Sequence, residues 1–457
     1  MSKKILFILG PIALIAIGLI LYSLIGGGET KIPADATKPK KLVYWGVFNE
    51  GGDLTDIINS YKATHPNITI EYRKLRPEEY EQALLEAWAK DEGPDIFSIH
   101  NNWVGKYQDF IAPLPSSTKM AYYSKTKTLG IKEETKIEYK ETPSLKLTDL
   151  QNNFVEVVYQ DAVADGKIYG LPLSMDTLAL FYNRDLLNQA KIPLPPTNYD
   201  EFLSDVSKLT VLDREGNVVQ AGAALGTANN IPRATDILFL FMLQSRTEMI
   251  DSSGKKVNFT HNSPEDPSKY PGVLALDFFT QFADKNKEVY TWNEDLPDAL
   301  ELFTQGKLAF FFAYSYQIPI IEQQGQGKLN YGITNIPELN QEVNYANYWL
   351  ETVSKKTPYT NEAWDFIQFA TKAENVTKYL NKTNKPTVLK ALIPQQAEDS
   401  QLQYFVLSSL VAKSWYHGKD PNLMEQYIND LIDNVVKGKL ETKEALQLAQ
   451  KLIQQTY

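Results

Sequence analysis

An α/β fold in two domains is predicted by three observations. The chain has 457 residues, too many for one compact core. Through the first hundred residues short apolar runs alternate with amphipathic helical patterns, as expected of parallel strands joined by right-handed crossovers. In the middle lies KIYGLPLSMDTLALFYNRDLLNQAKIPLPPTNYDEF, residues 167–202, which reads as strand, helix, stiff link and helix. Residues 168–183 are apolar, aromatic and β-branched, suited to a strand buried on both faces. Asn183 is placed to cap a short helix carrying Leu186, Leu187 and Ala190. Pro193, Pro195 and Pro196 end that helix, and Thr197 offers the cap of the next, which starts at Tyr199.

Taken from its start, the chain opens with Lys3, Lys4 and a nearly unbroken apolar run over 5–25. That length crosses a hydrocarbon core, so residues 1–4 are expected in the cytoplasm, 5–25 as a membrane anchor and the rest outside; a cleaved signal peptide is the competing reading. Residues 26–41, with three glycines and two prolines, read as a flexible tether. Strands are expected at 42–48, 68–72 and 96–99, with helices at 54–64 and 77–91 between them. The Lys-, Glu- and Thr-rich segment 119–146 breaks the rhythm and reads as a surface insertion, helical or hairpin, over the first lobe. A helix follows at 151–163. Later come helices at 200–209, 234–244, 272–283, 296–304 and 361–371, hairpins around 213–217 and 251–259, and strands at 308–314, 331–336 and 345–354. Three amphipathic segments, 403–411, 424–436 and 442–455, should pack together at the end.

Several chemistries are excluded. A net charge of −10 leaves no electrostatic footprint for nucleic acid. There is no cysteine, hence no disulfide, thiol catalysis or Cys-based metal site. His65, His100, His261 and His417 are scattered without metal-ligand spacing, and neither a G-x-S-x-G nucleophile turn nor a phosphate-cradling loop occurs. No catalytic residue, metal or cofactor is expected.

A resemblance joins the pieces. Gly-Leu-Pro-Leu-Ser at 170–174, Leu-Ala-Leu-Phe-Tyr-Asn-Arg-Asp-Leu-Leu at 178–187, Pro195-Pro196-Thr197 and Asp200-Glu201-Phe202 resemble the central signature of bacterial extracellular solute-binding proteins of family 1. These are the maltose-binding type that serves carbohydrate ABC transporters. Gly93-Pro94-Asp95-Ile96, Asn102-Trp103, FTQGKLAFFFAYSY at 303–316, Glu362 to Ile367, and Gly438-Lys439-Leu440 with Glu444-Ala445-Leu446 follow the same family in order. The resemblance implies a periplasmic-binding-protein-like two-lobe fold, each lobe a mixed, mostly parallel sheet flanked by helices, with the ligand cleft between lobes. It implies residues 42–168 plus 305–345 in one lobe and 184–300 plus 350–457 in the other, with 169–183 as the first crossing. It further implies a carbohydrate ligand, ABC transporter permease subunits as partners, and a monomer.

A sugar offers one apolar face and a rim of hydroxyls, so its cleft needs aromatic platforms with polar side chains beside them. The chain has 7 Trp, 26 Tyr and 20 Phe. Trp45, Trp103, Trp292, Tyr314, Tyr316, Trp349 and Trp415 are the candidate platforms, the last also because the family commonly uses an aromatic there. Asn49, Glu50, Asn102, Asp176, Asn229 and Asn347 are the candidate polar partners. Asp176 stands out as a carboxylate within an apolar strand, where it needs a partner or a ligand. Core packing is the competing reading for each Trp, and it is preferred for Trp88 and Trp364. A surface enzyme acting on glycans, and a ligand sensor or adhesin outside transport, remain as alternatives.

Overall fold

The computed structural model describes residues 32–128, 132–339 and 341–457. The expected anchor, 5–25, and most of the tether lie outside the described residues. The tether ends earlier than expected, because the first strand already begins at Lys40.

Two sheets carry two separate cores. In the first, strands Lys40–Gly46, Ile68–Lys74 and Ile96–His100 are parallel, and Trp349–Val353 lies antiparallel on Ile96–His100. Helices Thr55–Thr64 and Pro77–Ala89 make the crossovers. Pro77 at the helix start and Glu78 and Glu79 in its first turn suit the free N–H groups and the positive dipole end there. The face with Tyr80, Leu84 and Trp88 is buried on the sheet. The second sheet has the order Val211–Leu212, Val218–Ala223, Leu308–Ala313, Ala179–Asn183, Tyr331–Thr334. Helix Ala234–Gln244 is buried along its whole length against this lobe's core.

The cores show which segments belong together. One runs through 42–175 and 346–393, the other through 178–345 and 405–453, with Ala412 still in the first. The lobe partition read from the resemblance is therefore corrected in two segments. Leu308–Ala313, expected in the first lobe, is the middle strand of the second sheet, with all six side chains buried. Trp349–Val353 and helices Thr360–Ala370 and Ala373–Thr383, expected in the second lobe, pack in the first. The first crossing is also narrower than 169–183. Residues 168–175 belong to the first core, and the chain changes lobe at Asp176–Thr177.

Three such passages, Asp176–Thr177, Asn344–Asn347 and Ala412–Lys413, hydrogen-bond side by side into a small three-stranded ribbon. Asn344 ties it together. Its amide oxygen accepts from the Leu178 N–H at 3.0 Å, and its amide nitrogen donates to the Leu178 carbonyl at 2.8 Å.

Local expectations fared differently. Asn183 caps its helix, accepting from the N–H groups of Asp185 and Leu186. At the next helix the cap is Asn198, not Thr197, whose hydroxyl instead donates to Glu201. The insertion is a long antiparallel hairpin, Ser117–Thr128 with Lys132–Pro143. Its base is fastened by Tyr122 and Thr118, which donate to Asp365 at 2.5 and 3.3 Å. The helix expected at 151–163 is two short ones, Leu147–Asn153 and Glu156–Ala162.

Candidate functional site

The carboxyl ends of parallel strands gather the loops of an open α/β sheet, and in the first lobe these are Phe48 to Glu50 and His100 to Trp103. Trp349 joins them because its strand runs the opposite way, pairing Trp349 with His100. The result is an aromatic ridge. The Trp349 ring stands edge-on to Phe48 at 5.4 Å, to Trp103 at 5.6 Å and to His100 at 5.7 Å. Phe48 is 56% exposed, an unusual state for a large apolar ring with an aromatic neighbour already in place.

Facing parts of the second lobe supply Tyr314, Tyr316 and a charged group at the start of helix Ala234–Gln244. Tyr314 and Tyr316 stack at 5.7 Å; Tyr314 is fully buried, and Tyr316 is exposed. Arg233 precedes the helix in a left-handed conformation, φ 58°. Its guanidinium makes a two-pronged contact with Asp236, 2.8 Å on each arm, and reaches Glu425 at 3.1 Å. Tyr314 donates to the same Asp236 at 2.8 Å. Burial alone would raise the Asp236 carboxyl, but the charge and hydrogen bonds of Arg233 together with the Tyr314 hydroxyl hold the group below the usual carboxylate range.

Asn347, on the hinge ribbon, links the two sides. It donates to Asp236 at 3.2 Å, and its amide oxygen lies 3.3 Å from His100 Nε2. His100 Nδ1 is 2.6 Å from the Asn102 amide oxygen. Burial, reinforced by the Arg233 charge, lowers the His100 pKa and keeps the ring neutral near pH 7. Asp176 sits on the neighbouring ribbon strand, paired in register with Asn347. Its carboxylate accepts from the Ser315 hydroxyl at 2.7 Å and the Tyr316 N–H at 3.2 Å, and burial pushes its pKa up to about 6.

Of the residues expected from sequence, Trp103, Asp176, Tyr314, Tyr316, Asn347 and Trp349 come together here, with Asn102 just behind His100. Tyr314 is corrected from a platform to an anchor, since its ring is enclosed and its hydroxyl committed to Asp236. Three tryptophans are corrected to core. Trp292 is wholly buried, its indole N–H directed at Thr227 and Asn230 at 3.1 and 3.0 Å. Trp415 is wedged between Phe239 and Phe259, 5.2 Å from each. Trp45 is buried beneath the Arg73 guanidinium, 5.1 Å from its ring. Asn49 is buried too, its amide oxygen accepting from Tyr379 and Lys385 at 2.7 Å each. Glu50 is exposed and paired with Lys74, and Asn229 is exposed on its loop.

Sequence reasoning passed over Phe48, Arg233, Asp236 and Glu425. A signal was present in Arg-Ala-Thr-Asp at 233–236, an opposite-charge pair three residues apart opening a helix that is otherwise apolar. Among the described residues no group of three or more His, Cys, Asp or Glu is arranged to hold a metal ion.

The family model described as bacterial extracellular solute-binding protein matches residues 56–403. The chain belongs to that family. A galactooligosaccharide-binding protein of Bacillus subtilis is 20% identical to this solute-binding protein over 93% of the chain and 91% of the relative. A Brucella abortus protein named only as a binding protein is 24% identical over 56% of the chain, and the match spans 58% of the relative's length. Among solved structures, a cyclic α-maltosyl-1,6-maltose binding protein from Arthrobacter globiformis superimposes with a TM-score of 0.71, covering 92% of this chain and 99% of the other at 16% identity. That likeness shows the two-lobe fold of this solute-binding protein.

Proposed function

We propose that this solute-binding protein captures a neutral oligosaccharide between its lobes, closes on it by bending the hinge ribbon, and presents it to the permease of an ABC importer. The observation that carries the reading is the ridge of exposed Phe48 and half-buried Trp349 and Trp103, with exposed Tyr316 on the other lobe and Asn347 and the Arg233–Asp236 pair linking the two sides. Stacked rings suit the apolar faces of pyranose units; amide and guanidinium groups suit their hydroxyls. The galactooligosaccharide-binding relative, and a maltodextrin-binding protein of Bacillus subtilis that is 25% identical over 66% of this chain and 70% of its own length, support the same ligand class. The Arg233 guanidinium is already engaged by two carboxylates, Asp236 and Glu425, and so is not left open for an anionic ligand, which favours an uncharged one. The carboxylates of Asp176 and Asp236 are also engaged by protein donors, which argues for binding rather than glycoside hydrolysis. The apolar run 5–25 would hold the protein at the outer face of the membrane.

Calorimetric titration of the full chain in mild detergent with galactooligosaccharides and maltodextrins tests the ligand class. A micromolar or tighter response to at least one is expected. Heats indistinguishable from dilution throughout, together with binding of peptides or polyamines, would overturn it.

A further inference from the structure

Away from the hinge, the lobes meet at a second place, where the chain has no side chain to offer. Gly105 lies in the short helix Val104–Tyr107, directly after the ridge residue Trp103. It has no positive φ, so its backbone does not call for glycine, and inside a helix alanine is the better residue. Its surroundings do call for one. A Cβ at this position would stand 2.6 Å from the Gly418 carbonyl oxygen and 3.0 Å from the His417 carbonyl carbon, and closer still to the His417 oxygen. These are atoms of the other lobe, and they are backbone, so no side-chain rotation relieves the clash.

The loop that bears them is held firmly. The Tyr416 hydroxyl donates to Thr456 Oγ1 at 2.7 Å and accepts from the Asp420 N–H at 3.0 Å, while the Lys419 N–H donates to the Thr456 carbonyl at 2.6 Å. Polar contacts flank the meeting point. Asn422 donates to Glu81 at 2.8 Å, and Glu81 is itself set by the Tyr107 hydroxyl at 2.6 Å and by Lys106.

We propose that Gly105 is the seat on which the second lobe lands at full closure, and that its missing side chain sets how closely the lobes approach and therefore how slowly ligand leaves. This rests on the hinge-closure reading above. Gly105 acts through the lobe contact and not on the ligand; it is a positioning residue.

The test is Gly105→Ala in the full chain, with Gly51→Ala, where a Cβ meets nothing within 4 Å, as the control. Because the chain has no cysteine, Glu81→Cys with Asn422→Cys adds a unique pair whose joining by a short bis-maleimide reports rim contact without any ligand. The Ala variant is expected to melt at or above the parent temperature, and to slow the cross-link and weaken maltotetraose or galactooligosaccharide binding by at least about tenfold, chiefly through faster dissociation. The control should change neither. An unchanged cross-linking rate would overturn the proposal, as would a lowered melting temperature, which would place the methyl's clash within one lobe. If the parent binds neither sugar, the ligand class falls, while the cross-linking comparison still decides the role of Gly105.

Discussion

Two tryptophans, Trp292 and Trp349, show how a side chain's role depends on what closes over it. Trp292 has its ring in the second core and its N–H satisfied by Thr227 and Asn230. Trp349 is only half-buried, beside the exposed Phe48. Trp292→Ala should therefore lower stability by about 3–5 kcal/mol, as expected of a large buried ring removed from a packed core. Trp349→Ala should leave the melting temperature close to the parent's and weaken sugar binding by about 1–3 kcal/mol. Thermal melts and titration on both variants separate the roles; a stable Trp292→Ala would contradict the core assignment. The sequence could not sort these two. Each stands at an element boundary next to a tyrosine or asparagine, and the partners of the Trp292 indole N–H, Thr227 and Asn230, stand more than sixty positions away. Asp176 was legible as an anomaly, a carboxylate among apolar residues, but not its occupant, which is the turn at Ser315 and Tyr316. Its pKa, raised from 3.8 to about 6, fixes the sign of a pH effect. The folded state holds this proton more tightly than the unfolded chain, so its contribution to stability is present at low pH and is lost as pH rises from about 4 through about 6. Asp176→Asn keeps an oxygen acceptor without the charge. It should melt higher than the parent above pH 6 and lose that advantage toward pH 4, and a constant offset across that range would refute the assignment.

At the scale of elements, strands and helices were readable wherever burial follows a period. The first three strands and their crossovers are such a case, as is Asn183 at its helix start. What could not be read was partner choice. Leu308–Ala313 buries every side chain, and an unbroken apolar strand carries no mark of the sheet that will receive it. The partner is decided by Phe181 and its neighbours across the antiparallel pairing, which are distant in sequence. The hairpin Ser117–Thr128 with Lys132–Pro143 is the opposite case, an element whose outer rungs add little to either core. Ser124, Lys125, Thr126, Glu134, Thr135 and Lys136 are exposed, whereas Thr118, Met120 and Ala121 at the base are buried. Replacing residues 124–136 by an Asn-Gly turn, which suits a two-residue hairpin, should leave the melting temperature nearly unchanged. Asp365→Ala should lower it, because Tyr61, Thr118 and Tyr122 all donate to that carboxylate and would lose their buried acceptor. A large loss of stability from the shortened hairpin would mean that its outer part is structural.

For the whole molecule, the arrangement of the crossings determines which motion is available. Three passages bonded side by side cannot slide past one another without breaking their ladder, but they can twist and bend together, as a strip does. The two cores are otherwise separate, so each lobe can move as a body with its packing intact. Among the described residues, contacts that join the lobes beside the ribbon are polar, such as Asn422 with Glu81, Ser414 and His417 with Asp161, and the bare backbone at Gly105. Such contacts exchange readily with water, so opening does not expose a hydrophobic core, and a ligand that bridges the ridge and Tyr316 can shift the balance toward closure by its extra contacts in that state. Solution scattering should then show a smaller radius of gyration at saturating oligosaccharide than without it. Asn344→Ala, which removes both bonds from Asn344 to Leu178 and so loosens the ribbon at its middle, should broaden the distribution of dimensions in the free protein while preserving each lobe's fold by circular dichroism. Equal radii with and without saturating ligand would exclude hinge closure as the way this protein holds what it binds.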